Sequence, residues 1–135
     1  MEKEPTQNRS WHIVDCKSAV LGRISTQIAD LLRGKKKIGF RQNLDSGAYV
    51  VAINAASISV SGSKAKQMRY YKHTGYIGNL KTSTYSEVLE SNPEKILLHA
   101  VKGMLTKNKI AKDQIKRLKI YRGSIHPHKN IKFKD

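Results

Sequence analysis

The hydrophobic positions change their period along the first sixty residues. Trp11–Asp15 is a short apolar run, which predicts a buried strand. The next apolar positions are three and four residues apart and so share one helical face: Leu21, Ile24, Ile28, Leu31 and Leu32. Gly34 predicts the end of this helix, and the continuous apolar run Tyr49–Asn54 is typical of a strand covered on both faces. These segments predict a right-handed βαβ unit, and the alternating Ile58–Gly62 predicts another short strand or a turn.

The second half of the chain predicts three more helices and a last strand. Residues 84–91 and 92–103 have helical spacing, with Pro93 at the first helical position of the second segment. A basic helix over residues 110–117 leads into a strand over residues 118–121. The fold class is therefore α/β, with a mixed or parallel sheet of about four strands flanked by helices.

The length of 135 residues and the hydrophobic fraction of 39% fit one compact domain. We expect a flexible N-terminal arm over residues 1–10, a single α/β domain over 11–123 and a basic C-terminal tail over 124–135. No apolar run approaches the roughly 20 residues of a membrane helix, and the N-terminal residues lack the apolar region of a signal peptide. An intracellular, cytoplasmic protein without a membrane partner is expected.

The net charge of +16 is the strongest compositional signal. Residues 1–60 contain nine Lys and Arg against five Asp and Glu, whereas residues 61–135 contain seventeen against five. The cations of the second part are interleaved with apolar periodic positions, so they lie on folded elements. A shaped basic surface favours a structured nucleic acid over a generic anionic membrane.

The sequence gives little support for catalysis. It lacks both a phosphate-binding P-loop and a dinucleotide-binding glycine motif. The single cysteine, Cys16, fits a small apolar core position better than a nucleophile. His126 and His128 resemble a fragment of a zinc site, but no cysteine or carboxylate cluster accompanies them. We therefore expect no cofactor, metal or small-molecule substrate, although a metal-dependent nuclease that uses scattered carboxylates such as Asp15 and Asp45 is the alternative.

Three basic segments are candidates for binding RNA. Residues 64–81 are expected to form an extended, partly irregular excursion. Its cations alternate with Tyr and Gly, a pattern that suits phosphates and unpaired bases but also an ordinary solvated hairpin. Residues 102–122 contain eight Lys and Arg and one acid, and residues 33–41 contain a weaker cluster near a helix C-terminus. The predicted RNA-binding residues are Arg33, Lys35, Lys36, Lys37, Arg41, Lys64, Lys66, Arg69, Tyr70, Lys72, His73, Lys102, Lys107, Lys109, Lys116, Arg117, Lys119, Arg122, His126 and His128.

For two of these residues, Lys116 and Arg117, the sequence also predicts exposure. Lys116 and Arg117 precede Leu118, which is expected to face the core, so both cations are expected on the exposed surface. Replacing both with Glu should then weaken RNA association and leave the fold intact.

Seven stretches of the chain match a known family in its order: Trp11–Asp15, Leu21–Arg23, Leu32–Lys35, Asp45–Val51, Tyr70–Gly78, Ala100–Leu105 and Leu118–Tyr121. In them the sequence resembles the bacterial-type large-subunit ribosomal protein thirteen family. The resemblance implies a three-layer α/β/α domain with a four-stranded parallel sheet, binding to large-subunit rRNA beside neighbouring ribosomal proteins, and no catalysis. A free RNA-binding regulator is a further alternative.

Overall fold

The computed structural model describes residues 9–134, so residues 1–8 of the predicted N-terminal arm and Asp135 lie outside the described residues. A short 3-10 turn, Ala55–Ser57, follows the second strand. The elements are β1 (Trp11–Asp15), α1 (Leu21–Arg33), β2 (Tyr49–Ile53), α2 (Lys64–Gln67), β3 (Arg69–His73), β4 (Leu80–Thr84), α3 (Tyr85–Ser91), α4 (Pro93–Met104), α5 (Lys109–Lys116) and β5 (Leu118–Ile120).

A parallel sheet in the order β1-β2-β5 forms the centre of the molecule. Val50, Val51 and Ala52 of the central strand are fully buried, which explains the continuous apolar run in the sequence. The parallel pairing of β1 with β2 around α1 confirms the predicted βαβ unit. In the described part of the chain this sheet has three strands rather than about four, because Ser59 of the alternating segment makes only an isolated bridge to Val20.

Helix α1 forms where the apolar spacing predicts it. Its buried face includes Ile24, Ile28 and Leu32, and this face packs against α4 and the sheet. Gly34 ends the helix in the left-handed conformation, with φ of 75°, and its N–H donates to the carbonyl of Asp30 at 2.9 Å.

The N-terminal ends of the three later helices differ in their hydrogen bonds. The hydroxyl of Thr84 accepts from the N–H of Glu87, and the Glu87 carboxylate accepts from the N–H of Thr84, which completes a capping box on α3. Asn108 caps α5 by accepting from the N–H of Ala111 at 2.9 Å. Pro93 begins α4 as predicted, but the side chain of Asn92 makes no capping hydrogen bond.

The basic segment 64–81 is more regular than the extended, partly irregular excursion expected from the sequence. It forms the short helix α2 and most of an antiparallel hairpin, in which Arg69 lies opposite Thr84 and His73 opposite Leu80. Gly75, with φ of 94°, lets the chain reverse between the two strands.

The C-terminal segment returns to the first strand. Trp11 stacks on Tyr49 with ring centroids 4.4 Å apart, and the ring of His128 lies 5.4 Å from the ring of Trp11. Phe133 forms a parallel bridge with Trp11, and the N–H of Lys134 donates to the carbonyl of Trp11 at 2.7 Å. The edge of β1 is therefore covered by the last described residues.

Candidate nucleic-acid interface

The junction of α4 and α5 forms a groove lined by lysines, with a volume of about 680 Å³. Leu105, Ala111 and Ile115 contribute apolar surface to its lining. Five exposed cations surround this surface, and we call the site the lysine groove: Lys102, Lys107, Lys109, Lys112 and Lys116.

Local structure brings these lysines together. Lys109, Lys112 and Lys116 are three and four residues apart on α5, so they share one helical face. Lys102 comes from the last turn of α4. Lys112 was not among the predicted RNA-binding residues, although its helical spacing from Lys109 and Lys116 was the signal that could have found it.

The positive charge of the lysine groove is almost uncompensated. Among the described residues its one ion pair joins Lys116 Nζ to Asp113 Oδ1 at 3.0 Å, and both side chains are mostly exposed. An exposed pair of this kind contributes little stability. The groove is therefore suited to an external polyanion whose phosphates replace small counterions.

The hairpin β3–β4 presents a second basic surface. Arg69, Lys72 and His73, which are among the predicted RNA-binding residues, are exposed on it. His73 Nδ1 accepts from the N–H of Gly75 at 2.9 Å, which leaves the protonated Nε2 free to donate to an external acceptor.

The tyrosines of this hairpin divide between the inside and the outside. Tyr70 is half-buried and packs edge-on against His99 of α4 with ring centroids 5.6 Å apart; burial and the neighbouring Tyr85 raise the pKa of its hydroxyl. Tyr71 and Tyr76 are 65% and 75% exposed. The sequence prediction selected Tyr70. Strand alternation indicates that only one of Tyr70 and Tyr71 faces outward, and the contact of Tyr70 with His99 makes Tyr71 the outward ring.

Arg117 does not lie on the exposed face, so that expectation is wrong. Its side chain is 8% exposed, and its two terminal nitrogens donate to the Asp45 carboxylate at 2.5 and 2.6 Å. The same guanidinium donates to the carbonyls of Leu32 and Ala48 at 3.1 and 3.4 Å. Lys116 is exposed and Leu118 faces the core, as expected. Arg117 differs because the partner that draws it inward lies 72 residues away in sequence.

This partly buried ion pair anchors the loop that follows the basic cluster of residues 33–41. Burial opposes ionisation of Asp45, but the hydrogen bonds and charge of Arg117, together with the charge of Arg9, outweigh it and lower the pKa of Asp45. Lys37 is also tied to the loop, because its Nζ donates to the carbonyl of Ser46 at 2.6 Å. The exposed members of this cluster are Lys35, Lys36, Lys37 and Arg41.

The remaining predicted residues vary in accessibility. Lys64, Lys66 and Lys119 are exposed, as is Arg122, which donates to the carbonyl of Glu90 at 3.1 Å. His126 and His128 are instead half-buried in an aromatic cluster, where His128 Nε2 lies 2.9 Å from the hydroxyl of Tyr121 and the ring of His126 lies 5.8 Å from the ring of Phe133.

The candidate catalytic groups are not assembled into a site. Cys16 is fully buried, and burial, with a smaller contribution from the charge of Asp15, raises the pKa of its thiol to about 11. The Asp45 carboxylate forms its ion pair with Arg117, and the Asp15 carboxylate accepts a hydrogen bond from the side-chain amide of Asn54 at 2.8 Å. Across residues 9–134 no three His, Cys, Asp or Glu side chains are placed to share a metal ion. The same residues contain no helix with the length and apolarity needed to span a membrane.

Comparison with known proteins identifies the family to which the chain belongs. A family model described as ribosomal protein L13 matches residues 9–127. The large ribosomal subunit protein uL13 of Kocuria rhizophila is 48% identical over 120 residues, covering 89% of this chain and 82% of that protein. The uL13 protein of Maridesulfovibrio salexigens is 48% identical over 126 residues, which is 93% of this chain and 89% of that protein. The chain belongs to the ribosomal protein L13 family.

Proposed function

We propose that this chain is a structural constituent of the large ribosomal subunit that binds large-subunit rRNA and supports subunit assembly and translation. The relatives are named as proteins of that subunit, and the family is structural rather than enzymatic. The observation that carries RNA binding is the lysine groove, in which five exposed cations surround one groove and share a single exposed ion pair among the described residues. Neighbouring proteins of the subunit are its further partners.

The RNA-binding surface comprises the exposed cations of three regions, the half-buried Arg33 and the exposed His73, with Lys112, Tyr71 and Tyr76 added. Arg117 is excluded because it is buried against Asp45. Tyr70, His126 and His128 contribute through the packing of the hairpin and the C-terminal segment, where each already contacts another ring. The proposed contacts from the predicted set are Arg33, Lys35, Lys36, Lys37, Arg41, Lys64, Lys66, Arg69, Lys72, His73, Lys102, Lys107, Lys109, Lys116, Lys119 and Arg122.

The finer architecture is also a proposal. We take residues 11–123 as the domain, residues 1–10 as an arm and residues 124–135 as a basic tail. The bridge between Phe133 and Trp11 supports a fourth parallel strand beside β1. The three-layer arrangement is proposed from the family resemblance alone.

Counterion release supplies most of the affinity in this proposal. If the surface contacts about 6–10 phosphates, affinity should fall by roughly 10³–10⁵ between 50 and 200 mM salt. Selectivity for the folded rRNA arises from its shape, its 2′-hydroxyls and its unpaired bases, to which exposed tyrosines offer stacking surfaces.

A filter-binding salt titration on a large-subunit rRNA fragment tests the proposal. The double variant Lys107→Gln/Lys109→Gln should make the plot of log K against log salt less steep. The magnitude of its negative slope should decrease by about 2, roughly one unit for each lost phosphate contact. The matched control Lys17→Gln/Arg23→Gln removes the same charge from exposed positions outside the proposed surface and should retain the slope. A flat salt dependence, or equal losses in both double variants, contradicts the proposal.

Sedimentation distinguishes a subunit component from a free regulator. We expect the chain to co-migrate with the large subunit in a sucrose gradient after a high-salt wash. Recovery of the chain only in the slow-sedimenting fractions contradicts a structural role.

A further inference from the structure

A second, smaller pocket adjoins the lysine groove, and we propose that it binds a single unpaired purine base of the RNA. This inference rests on the proposed function. The pocket has a volume of about 220 Å³ and lies between the loop after α1 and the N-terminal end of α5. Its volume is below the roughly 300–1,000 Å³ of sites for drug-sized ligands, which suits one heterocycle. Its lining includes Arg33, Phe40, Asn108 and Gln114.

Gln114 provides the first reason to assign a base to this pocket. The residue is 5% exposed, and its Oε1 is buried without a hydrogen-bond partner among the described residues. Buried amide oxygens normally accept a hydrogen bond, so the unpartnered oxygen of a glutamine that lines a pocket points to a missing donor group. A glutamine amide presents one acceptor beside two donors, which complements the N6 and N7 edge of adenine.

Arg33 provides the second reason. It lies at the end of α1, is half-buried in the pocket lining, and takes part in no ion pair within residues 9–134. A guanidinium is a planar fork that donates two parallel hydrogen bonds to the O6 and N7 edge of guanine or stacks on a base. Phe40, half-buried in the same lining, supplies an apolar ring. Both polar groups are thus able to form bidentate hydrogen bonds to an N7-containing edge, which only purines have.

The position of the pocket fits an RNA strand held in the lysine groove. Thr106 and Asn108 line both cavities, so a base in the pocket has its flanking phosphates beside Lys107 and Lys109. The side-chain oxygen of Asn108 already accepts two hydrogen bonds within the chain, from the N–H of Ala111 and from the hydroxyl of Thr106. It forms a fixed wall between the two sites, and recognition of the base falls to Gln114 and Arg33. Bases splayed out of a strand are what proteins read most often in RNA.

Three short RNAs test the pocket: heptauridylate, and the same heptamer with a central adenosine or a central guanosine. Anisotropy titrations with the full chain should show at least one purine heptamer binding about tenfold more tightly than heptauridylate, since a bidentate base contact gives discrimination of this order. The side-chain amide signals of Gln114 in ¹⁵N spectra should shift with that heptamer and not with heptauridylate.

Two variants separate base recognition from charge. Gln114→Met keeps the side-chain length and should abolish the purine preference while leaving the heptauridylate affinity and the salt slope unchanged. Lys107→Gln should weaken all three heptamers by the same factor and retain the preference. Circular dichroism establishes that each variant is folded, and the Gln114 signals of the unmodified chain decide the question if Gln114→Met does not fold.

The outcomes distinguish the pocket from the broader proposal. Equal affinity of the unmodified chain for all three heptamers, unmoved Gln114 signals, or a purine preference that persists in folded Gln114→Met would each overturn the pocket. If the rRNA fragment still binds with a steep salt dependence, the proposed function stands without it. A flat salt dependence on the rRNA fragment overturns both.

Discussion

The buried ion pair between Arg117 and Asp45 leads to a quantitative prediction about stability. Removing one partner of such a pair leaves an uncompensated charge and costs about 3–5 kcal/mol. In Arg117→Met the Asp45 carboxylate keeps its partial exposure of 23% and a contact with Arg9 at 3.5 Å. We therefore expect a loss near the lower end, about 3 kcal/mol, which lowers Tm by roughly 9–15 °C in a chain of this length.

The dependence of this loss on pH follows from the carboxylate. The pKa of Asp45 is lower in the folded chain than its ordinary value of 3.8, so the stability that the ionised carboxylate contributes is present above about pH 4. It is lost as the pH falls through the lowered pKa of the folded chain. The difference in Tm between the unmodified chain and Arg117→Met should therefore be widest near pH 7 and shrink toward about pH 3.

Thermal unfolding followed by circular dichroism measures both effects. Lys116→Met is the matched control, because it removes the neighbouring cation from an exposed pair and should change stability by less than about 1 kcal/mol. Equal losses in Lys116→Met and Arg117→Met, or a difference in Tm that does not vary with pH, would refute this reasoning. The result also separates the two residues that the sequence treats alike: Lys116→Glu should weaken RNA binding in a folded chain, whereas Arg117→Glu should impair folding.

Three further predictions concern the scaffold. Gly47→Ala should destabilise the chain by about 3 kcal/mol or more in urea unfolding, because the added Cβ would lie 1.7 Å from the carbonyl oxygen of Leu32; a loss below about 1 kcal/mol would contradict the close approach. Cys16 should react slowly with iodoacetamide at pH 8 and rapidly once urea unfolds the chain, since burial raises the pKa of its thiol to about 11; rapid labelling of the folded chain would be inconsistent with this. Thr84→Ala should cost about 1 kcal/mol by removing the acceptor for the Glu87 N–H, and an unchanged urea midpoint would show that the capping box does not stabilise α3.

The sequence predicts elements whose determinants are local. The apolar spacing from Leu21 to Leu32 and the glycine at position 34 give α1 with its correct end, and the apolar run at Tyr49 gives the central parallel strand. The lysine groove is predictable for the same reason, since most of its cations lie within one short stretch around α5. Periodicity and charge density are sufficient where neighbours in sequence are neighbours in space.

Local sequence patterns do not predict features that depend on partners distant in sequence. Arg117 looks like any other cation of its segment until the chain brings Asp45 to it. The purine pocket is hidden likewise, because Arg33 and Gln114 belong to separate helices and neither neighbourhood indicates the other. The inward position of Tyr70 depends on a contact with His99, which no local pattern encodes.

The ring contacts of Trp11 have a practical consequence. Trp11 is the chain's single tryptophan, and its indole meets Tyr49 of the central strand and His128 of the C-terminal segment. Its emission therefore reports on one place, where the first strand is joined by residues more than a hundred positions later. A refolding experiment that follows this fluorophore is sensitive to long-range contacts with Tyr49 and with the C-terminal segment, which contacts within single helices would not reveal.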